Sequence, residues 1–407
     1  MIIRARAVVT MDGAPVKNGA VAVSGDRIVA VGKFPDIATQ YSAQETIDLG
    51  EQVLLPGLIN AHCHLDYTCL RGKIPPQKSF TDWIRAIKAE KSKLLPEHYV
   101  ASINEGFAEA RRFGTTTVAN LTAFPELIRR VSQIPFRTWW FAELIDVRSP
   151  NRANEFVDSA AEFLKSEENY GLAPHALFTA SNNLYHRCQK AGKDVLLTTH
   201  LAESREEMEM FRDAAGPLYD FMRSIGRDME DCGDGTPVQL FLGVVRSSGV
   251  KPFNVHSENN WLVAHLNELT ERDFELLEKL KPKFHVVHSP RSHEYFNHSR
   301  FSFKRLHALG FNICLGTDSL ASNQSLSLFA EMRAFQRKEP DISPEKILEM
   351  VTVNPALALS QQNSLGRIRP GFRADLIAIP CGEASDLFPE IVAFDGAISW
   401  RMTNGEV

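Results

Sequence analysis

The chain has 407 residues, 44% of them hydrophobic and 23% charged, so it can bury one large core or two unequal ones and is neither disordered nor fibrous. Its net charge of −5 and the lack of a basic run exclude nucleic acid and membrane surfaces as expected partners. The first residues lack the pattern of a signal peptide, no apolar run reaches membrane-spanning length, and the six cysteines form no Cys-x-x-Cys pair, so we expect a cytoplasmic globular protein.

Both ends of the chain are predicted to be rich in β-strands. Residues 20–31 hold two short apolar runs around the turn Ser24-Gly25-Asp26, a pattern typical of a β-hairpin. Residues 374–379 form a similar run near the other end. We expect residues 1–55 and 366–407 to join in one small β-sandwich domain.

Between these ends, short apolar runs alternate with longer amphipathic stretches, as in βα units around a parallel sheet. In one such stretch, Tyr99, Ile103 and Phe107 recur at helical spacing and Gly114 follows as a stop. Eight parallel strands with covering helices predict a (β/α)8 TIM-type barrel over residues 56–365. The predicted strands are Val53–Ile59, Thr115–Asn120, Thr138–Glu143, Leu172–Thr179, Asp194–His200, Trp261–His265, Lys283–His288 and Asn312–Gly316.

Side chains that bind metals fall at the ends of three predicted strands. His62 and His64 follow the first strand, and their spacing of two places both imidazoles on one side of an extended chain. His200 ends the fifth strand, and Asp318 follows the eighth. A single histidine at a strand end is more often a hydrogen-bonded structural residue, but four donors at one rim of a barrel predict a metal site. Such a set suits Zn(II), our first choice, or Fe(II).

The order of these motifs resembles the amidohydrolase superfamily, in particular its chlorohydrolase and nucleobase deaminase branch. The resemblance covers nearly the whole chain. It implies that one divalent ion is held by the four donors above and that Asp318 also takes a proton from bound water. It rests on Pro56-Gly57-x-x-Asn60-x-His62-x-His64, His200-Leu201-Ala202-Glu203-Ser204, His265, His288-Ser289-Pro290-Arg291-Ser292 and Gly316-Thr317-Asp318.

The resemblance also implies roles for two further residues. Glu203, three residues beyond His200, would carry a proton from the bound water to the leaving group; the alternative is an exposed acid at the start of a helix. His265, at the end of the sixth strand, would steer the attacking hydroxide; the alternative is a structural hydrogen bond.

Two residues are candidates for contact with the substrate. His175 lies on the predicted fourth strand, and Trp83 follows the first strand where the family places a lid. Ordinary packing is the alternative for both. Binuclear members of the superfamily use a modified lysine at the end of the fourth strand, but residues 171–183 contain no lysine, so we expect a single metal.

A run of four histidines is open to two interpretations. It contains His285, His288, His293 and His298. One interpretation is a second metal site. The other is the seventh strand with its loop, and the irregular spacing of the four histidines favours it. His293 replaces an asparagine that is common in the family, and Ser319 replaces a frequent glycine. These departures bear on the identity of the substrate more than on the reaction.

These observations predict a metal-dependent hydrolytic deaminase of an aminated heteroaromatic ring. The resemblance favours a small-molecule substrate of the adenosine-derived type, such as methylthioadenosine, adenosylhomocysteine or aminofutalosine, followed by a purine base such as guanine, and it suggests a homodimer. Two alternatives stay open. One is hydrolysis of another leaving group, as in a chlorotriazine or a cyclic amide, and the other is a non-catalytic scaffold on the same fold.

Overall fold

The computed structural model describes residues 1–132, 136–192, 195–247, 261–382 and 386–407. Strands and helices alternate through the middle of the chain, and strands dominate its two ends. The strands are β1 Ile2–Val8, β2 Val16–Ser24, β3 Arg27–Lys33, β4 Thr46–Asp48, β5 Gln52–Pro56, β6 Leu58–His64, β7 Thr115–Thr122, β8 Arg137–Leu144, β9 Tyr170–Pro174, β10 Leu196–Leu201, β11 Trp261–His265, β12 His285–His288, β13 Ile313–Leu315, β14 Asp318–Ser319, β15 Leu376–Pro380 and β16 Trp400–Met402.

Helices cover most of the connections between the central strands. Within the described ranges, none of them combines the length and the apolar character needed to cross a membrane. The α-helices are α1 Phe34–Gln40, α2 Phe80–Lys91, α3 Pro96–Arg112, α4 Ala153–Leu164, α5 Asn182–Gln189, α6 Arg205–Asp213, α7 Pro217–Ser224, α8 Pro237–Ser247, α9 Glu271–Leu280, α10 Pro290–Phe296, α11 Phe303–Ala308, α12 Leu328–Lys338, α13 Pro344–Glu349, α14 Val353–Ala358 and α15 Leu387–Ala393; the 3₁₀ helices are Leu65–Leu70, Pro125–Arg130 and Pro150–Arg152.

The central strands form one parallel sheet that closes into a barrel. Strands β6 to β13 lie side by side in chain order, and β14 pairs with the end of β6. Two backbone hydrogen bonds complete the ring, from the Gly316 N–H to the His288 carbonyl and from the Thr317 N–H to the His62 carbonyl. The predicted TIM-type barrel is therefore confirmed, with β13 and β14 sharing the eighth strand position.

Apolar side chains fill the interior of the barrel. They alternate by two along several strands, so the opposite face of each strand packs against the helices. Helix α14 closes the amino end, where Ala356 joins the same cluster. The interior side chains are Ile59, Ala61, Ala119, Leu121, Trp139, Phe141, Ala173, Leu196, Leu262, Val287 and Cys314.

Some predicted strand boundaries differ from the observed ones. The run Val53–Ile59 divides at Gly57, because β5 pairs with β15 in the second sheet while β6 enters the barrel. A Cβ on Gly57 would collide with the Thr116 side chain, so only glycine fits where the chain crosses between the sheets. The predicted strand Leu172–Thr179 ends early, with β9. Asp194, the first residue of another predicted strand, lies outside the described residues.

The two ends of the chain build a second sheet of seven strands. Its order is β16-β15-β5-β1-β2-β3, and β4 pairs with β1. Strand β5 is antiparallel to β15, which joins the N-terminal and C-terminal segments directly. The β-rich ends are thus confirmed. The domain boundaries at residues 1–55, 56–365 and 366–407 stay a prediction.

Candidate metal centre

Four side chains meet at the carboxyl end of the barrel, on β6, β10 and β14. Nε2 of His62 lies 3.7 Å from Oδ1 of Asp318, and Nε2 of His64 lies 3.8 Å from the same oxygen. Nε2 of His64 and Nε2 of His200 are 3.4 Å apart. One ligand atom from each of the four residues lies within 4.8 Å of all the others. We call this set the metal group; its members are the four donors that the sequence predicted.

The surroundings of the metal group fit a bound cation. Both ring nitrogens of His62 are buried without a hydrogen-bond partner among the described residues. A buried polar atom in that state is costly unless a ligand binds it. Imidazole nitrogens with one carboxylate oxygen are the donors of zinc sites in hydrolases. The residues present therefore fit a divalent ion.

Two of the histidines are oriented by groups behind them. Nδ1 of His200 lies 2.9 Å from the carbonyl oxygen of His175, so the N–H donates there and Nε2 keeps its lone pair for a metal. Nδ1 of His64 faces Oε1 of Glu143 at 3.6 Å. Burial lowers the pKa of His200 to about 4 and lowers that of His64 well below its usual value. Both rings are therefore neutral near neutral pH, as metal ligands must be.

Asp318 is fixed from the side opposite the histidines. Its Oδ2 accepts hydrogen bonds from the hydroxyls of Ser292 at 2.6 Å and Ser322 at 3.2 Å. Its backbone has a φ of +55°, in the left-handed region that residues with a Cβ seldom adopt. The two serines and this backbone conformation together leave Oδ1 facing the histidines.

Glu203 lies just beyond β10, beside the metal group. It is only 7% exposed, so the alternative of an exposed acid at a helix start does not hold. One carboxyl oxygen lies 3.7 Å from Nε2 of His265. Burial, followed by the charges of Asp318 and Glu207, raises the pKa of Glu203 well above its usual value. A buried carboxyl group that holds its proton more tightly than usual, next to the metal group, is suited to delivering it.

His265 ends β11 at the same rim. Its Nε2 is buried and accepts or donates no hydrogen bond within the described ranges. Its ring stacks on that of His200 with centroids 5.2 Å apart, and its φ is +78°. A structural histidine would use the buried nitrogen in a hydrogen bond. The free nitrogen beside Glu203 favours a part in the chemistry.

A second group of ligand atoms adjoins the metal group and shares His200 with it. Its other members are Glu143, at the end of β8, and His175, directly after β9. Nε2 of His175 lies 3.9 Å from Oε1 of Glu143, and its Nδ1 is 2.7 Å from the Thr179 hydroxyl. Burial raises the pKa of Glu143 to about 7. A polar wall thus extends from the metal group toward β8 and β9.

Three of the residues around this centre were given no role by the sequence. Glu143 occurs without a motif, and its one signal is that it ends a predicted strand, Thr138–Glu143. Ser292 and Ser322 lie in or next to family motifs, but nothing in the sequence shows that both bond Asp318. Long-range contacts of this kind become visible only once the barrel is closed.

Trp83 lies on helix α2, which follows the first barrel strand as the predicted lid. Its ring stacks on Phe80, with centroids 5.9 Å apart, and meets Phe296 edge-on at 4.9 Å. These three rings and His298 line a cavity of about 230 Å³ together with residues 204–206. The structure therefore places Trp83 next to the segment that follows Glu203 and apart from the metal group.

The histidine run does not form a further group of metal ligands in the described part of the chain. His288 stacks face to face on Phe301, with centroids 4.0 Å apart. Nδ1 of His293 is 3.0 Å from Oδ1 of Asn267. The structure supports the interpretation as a strand and its loop, since β12 and α10 occupy this stretch.

Comparison with known proteins gives sequence relatives over most of the chain. The sequence model of the amidohydrolase family matches residues 53–403, and that of a bacterial imidazolonepropionase-like composite domain matches residues 19–41. The 5-methylthioadenosine/S-adenosylhomocysteine deaminase of Syntrophobacter fumaroxidans is 30% identical over 386 residues, which are 90% of this chain and 81% of the relative.

Solved structures with the same fold cover the whole chain. Helicobacter pylori aminofutalosine deaminase in complex with methylthio-coformycin has a TM-score of 0.86 at 21% identity, over 100% of this chain and 99% of that one. An adenosine deaminase from Xanthomonas campestris with bound zinc has a TM-score of 0.78 at 22% identity, over 100% and 92%. At these identities the structures establish the fold, and the sequence matches decide the family.

Proposed function

The chain belongs to the amidohydrolase family, and from that premise we propose that it is a metal-dependent hydrolytic deaminase of adenosine-derived nucleosides. The observation that carries the proposal is the metal group, three imidazoles and one carboxylate with donor atoms within 4.8 Å, beside the buried Glu203. A relative at 30% identity is named a deaminase of 5-methylthioadenosine and S-adenosylhomocysteine. The reaction would replace the exocyclic amine of the ring by oxygen and release ammonia.

The metal group would hold one divalent ion through His62, His64, His200 and Asp318. Zinc is the first choice and Fe(II) the second, because both accept imidazole and carboxylate ligands in such a set. When bound, the ion lowers the pKa of a water molecule to about 7 and so supplies hydroxide near neutral pH. Oδ1 of Asp318, which faces the histidines, would receive the proton that this water loses. Glu143 would keep the His64 ring oriented from behind.

Glu203 would move the proton that deamination needs. The amine leaves as ammonia only if it gains a proton, and the ring nitrogen next to the attacked carbon must be protonated as the ring loses aromaticity. Glu203 lies beside the metal group and would donate its own proton to the ring nitrogen first. It would then take up the proton of the added hydroxyl as the carbon–oxygen double bond forms and pass it to the amine, and the proton left on Asp318 would return to Glu203 at the end of the cycle. His265, with its free Nε2 at 3.7 Å from Glu203, would hold the oxygen that adds to the ring.

The substrate would lie between the metal group and the lid. His175 would contact it from the side of β9, since its side chain is partly exposed to solvent and its ring centroid lies 4.7 Å from that of His200. Trp83 would offer a flat aromatic surface on the lid side, which suits a purine. A nucleoside is preferred over guanine because the sequence relative and both solved structures carry names of deaminases of adenosine-type compounds.

A cytoplasmic homodimer is the form in which we expect the enzyme to work. All six cysteines are free, which suits a reducing compartment. The dimer is supported by the family resemblance.

Ammonia release tests the proposed function. Zinc-loaded protein is mixed with methylthioadenosine, adenosylhomocysteine, aminofutalosine, adenosine and guanine, and separately with a chlorotriazine and a cyclic amide. Protein stripped of metal by a chelator is the matched control. We expect ammonia, and a product with oxygen in place of the amine, from at least one adenosine-derived nucleoside and only from the metal-loaded protein.

Three other results would change or contradict the proposal. Release from guanine alone would identify a base deaminase. Chloride release or ring opening without ammonia would identify a hydrolase of another leaving group. No product from any compound, with metal bound, would contradict the proposal.

A further inference from the structure

The start of the lid helix α2 is held by a side chain that lies far away in the sequence. Both carboxylate oxygens of Glu206 accept hydrogen bonds there: Oε1 from the Phe80 N–H at 2.7 Å, and Oε2 from the Thr81 N–H at 3.0 Å. The Thr81 hydroxyl also donates to Oε2. The first N–H groups of a helix have no partners within the helix, and a negative charge next to them is favourable. Glu206 thus supplies a strong contact between two separate segments.

Glu206 is free for this contact because other residues cap its own helix. Ser204 accepts the Glu207 N–H as the cap of α6. The Glu207 carboxylate accepts the N–H groups of Ala202 and Glu203. Residues 203–206, which follow β10, therefore make two different contacts. Glu203 faces the metal group, and Glu206, three residues later, holds the lid.

The rest of the lid has its own attachments, which lie away from the start of the helix. The Tyr295 hydroxyl donates to the carbonyl of Ile74 at 2.9 Å, before the helix begins. The Arg85 guanidinium lies over the Phe221 ring, 5.1 Å from its centroid, one turn further along. Loss of Glu206 would therefore loosen the turn that precedes Trp83 without detaching the whole lid.

We propose that Glu206 is a positioning residue that fixes the lid helix, and with it Trp83, to the segment that carries Glu203. The inference rests on the proposed function, because it assigns the lid to substrate binding. A nucleoside that touches both Trp83 and Glu203 would meet two contacts held at a set separation by one carboxylate. Glu206 would act through the lid, because both of its carboxylate oxygens already accept hydrogen bonds from Phe80 and Thr81.

Three variants test this role. Glu206→Ala removes all three hydrogen bonds. Glu206→Gln keeps one acceptor oxygen and places an NH2 group against the other donors, so its effect is intermediate. Glu209→Ala is the matched control. It removes a carboxylate of the same helix to which no described residue donates a hydrogen bond, and it keeps the Glu209 carbonyl that accepts the Ala214 N–H at the end of the helix.

Hydrogen exchange at the amides of Phe80 and Thr81 is the first readout, since these are the groups that Glu206 binds. We expect exchange to become at least about tenfold faster in Glu206→Ala, less so in Glu206→Gln, and to stay unchanged in Glu209→Ala. The second readout is kinetic. KM for the best nucleoside should rise at least about tenfold in Glu206→Ala while kcat stays within about threefold and the metal content is unchanged.

Two results would overturn the inference. Unchanged exchange at Phe80 and Thr81 in Glu206→Ala would show that the carboxylate does not hold the helix. Faster exchange with an unchanged KM would reduce Glu206 to a structural cap without a role in substrate binding. Failure of the proposed function looks different, because wild-type protein would then release no ammonia from any nucleoside, and the exchange result alone would decide whether Glu206 holds the lid.

Discussion

The interior and the mouth of the barrel are both buried, but their side chains satisfy opposite requirements. In the interior, residues such as Phe141 and Leu262 are apolar and pack against one another. At the mouth, His62 and His265 are as deeply buried, yet they leave ring nitrogens without hydrogen bonds to the described residues. The backbones differ as well. His265 and Asp318 have positive φ, whereas none of the interior cluster residues does.

The packed interior stabilises the fold, whereas the mouth holds side chains that lower its stability. An unpaired buried polar group costs about 1–3 kcal/mol of stability, and a strained backbone residue costs a similar amount. The mouth therefore consumes stability that the packed interior provides. Residues kept at such a cost are expected where a ligand or a reaction requires them. Substitutions in the two regions should accordingly affect different quantities.

The largest effect is expected from His62→Ala at the mouth. The change removes a donor whose two nitrogens make no hydrogen bond to any described residue, so we expect zinc binding to collapse and the rate of ammonia release to fall by about 1000-fold or more. Metal content by mass spectrometry and initial rates measure both. His307→Ala, on the exposed side of α11, is the control and should bind zinc normally. Full zinc occupancy in His62→Ala would remove this residue from the metal group.

Phe141→Ala tests the interior in the same way. Phe141 is fully buried, so the cavity should lower the free energy of unfolding by about 3–5 kcal/mol. Metal content and KM should stay close to those of the parent under folding conditions. Denaturant unfolding followed by circular dichroism gives the stability. The half-buried Phe156 provides the control, because Phe156→Ala should lose clearly less. A loss of metal without a loss of stability would contradict the division between interior and mouth.

Glu203→Gln separates proton transfer from metal binding within the mouth. The amide cannot exchange a proton with the substrate, so kcat should fall by about 100-fold or more while zinc stays bound. Single-turnover rates together with metal content check the expectation. Glu209→Gln, further along the same segment, should leave kcat unchanged. Near-normal turnover in Glu203→Gln would exclude Glu203 as the proton carrier.

Glu143→Gln should have the smallest effect, because in the proposed function Glu143 would act on the metal only through His64. An amide in its place weakens the orientation of that ring, and we expect zinc to dissociate about tenfold faster into a chelator. The loss of zinc is followed with a coloured chelator in stopped flow. Glu126→Gln changes an exposed glutamate after β7 and should release zinc at the parent rate. An unchanged rate in Glu143→Gln would leave the His64 ring without a supporting carboxylate.

Much of the barrel and of the metal group could be predicted because both depend on local patterns. A spacing of two on an extended strand places His62 and His64 on one face whatever the rest of the chain does. The position of His200 and Asp318 at strand ends then needs only the rule that parallel strands end at one rim.

The remaining features depend on contacts that no local pattern contains. The run Val53–Ile59 divides at Gly57 because its first half pairs with β15, more than three hundred residues away, and its second half pairs with β7. In the sequence, Glu206 cannot be distinguished from any other acidic residue on a helix. Its contact with the Phe80 N–H becomes visible only in the folded chain. Glu143 is likewise an isolated glutamate in the sequence, and only the closed barrel places it behind His64.

An anomalous difference map at the zinc absorption edge, from crystals of zinc-loaded protein, tests the metal group most directly. We predict one strong peak bounded by Nε2 of His62, Nε2 of His64, Nε2 of His200 and Oδ1 of Asp318. A peak only beside Glu143 and His175, a peak within the run His285 to His298, or no peak at the barrel mouth in protein that carries stoichiometric zinc would contradict it.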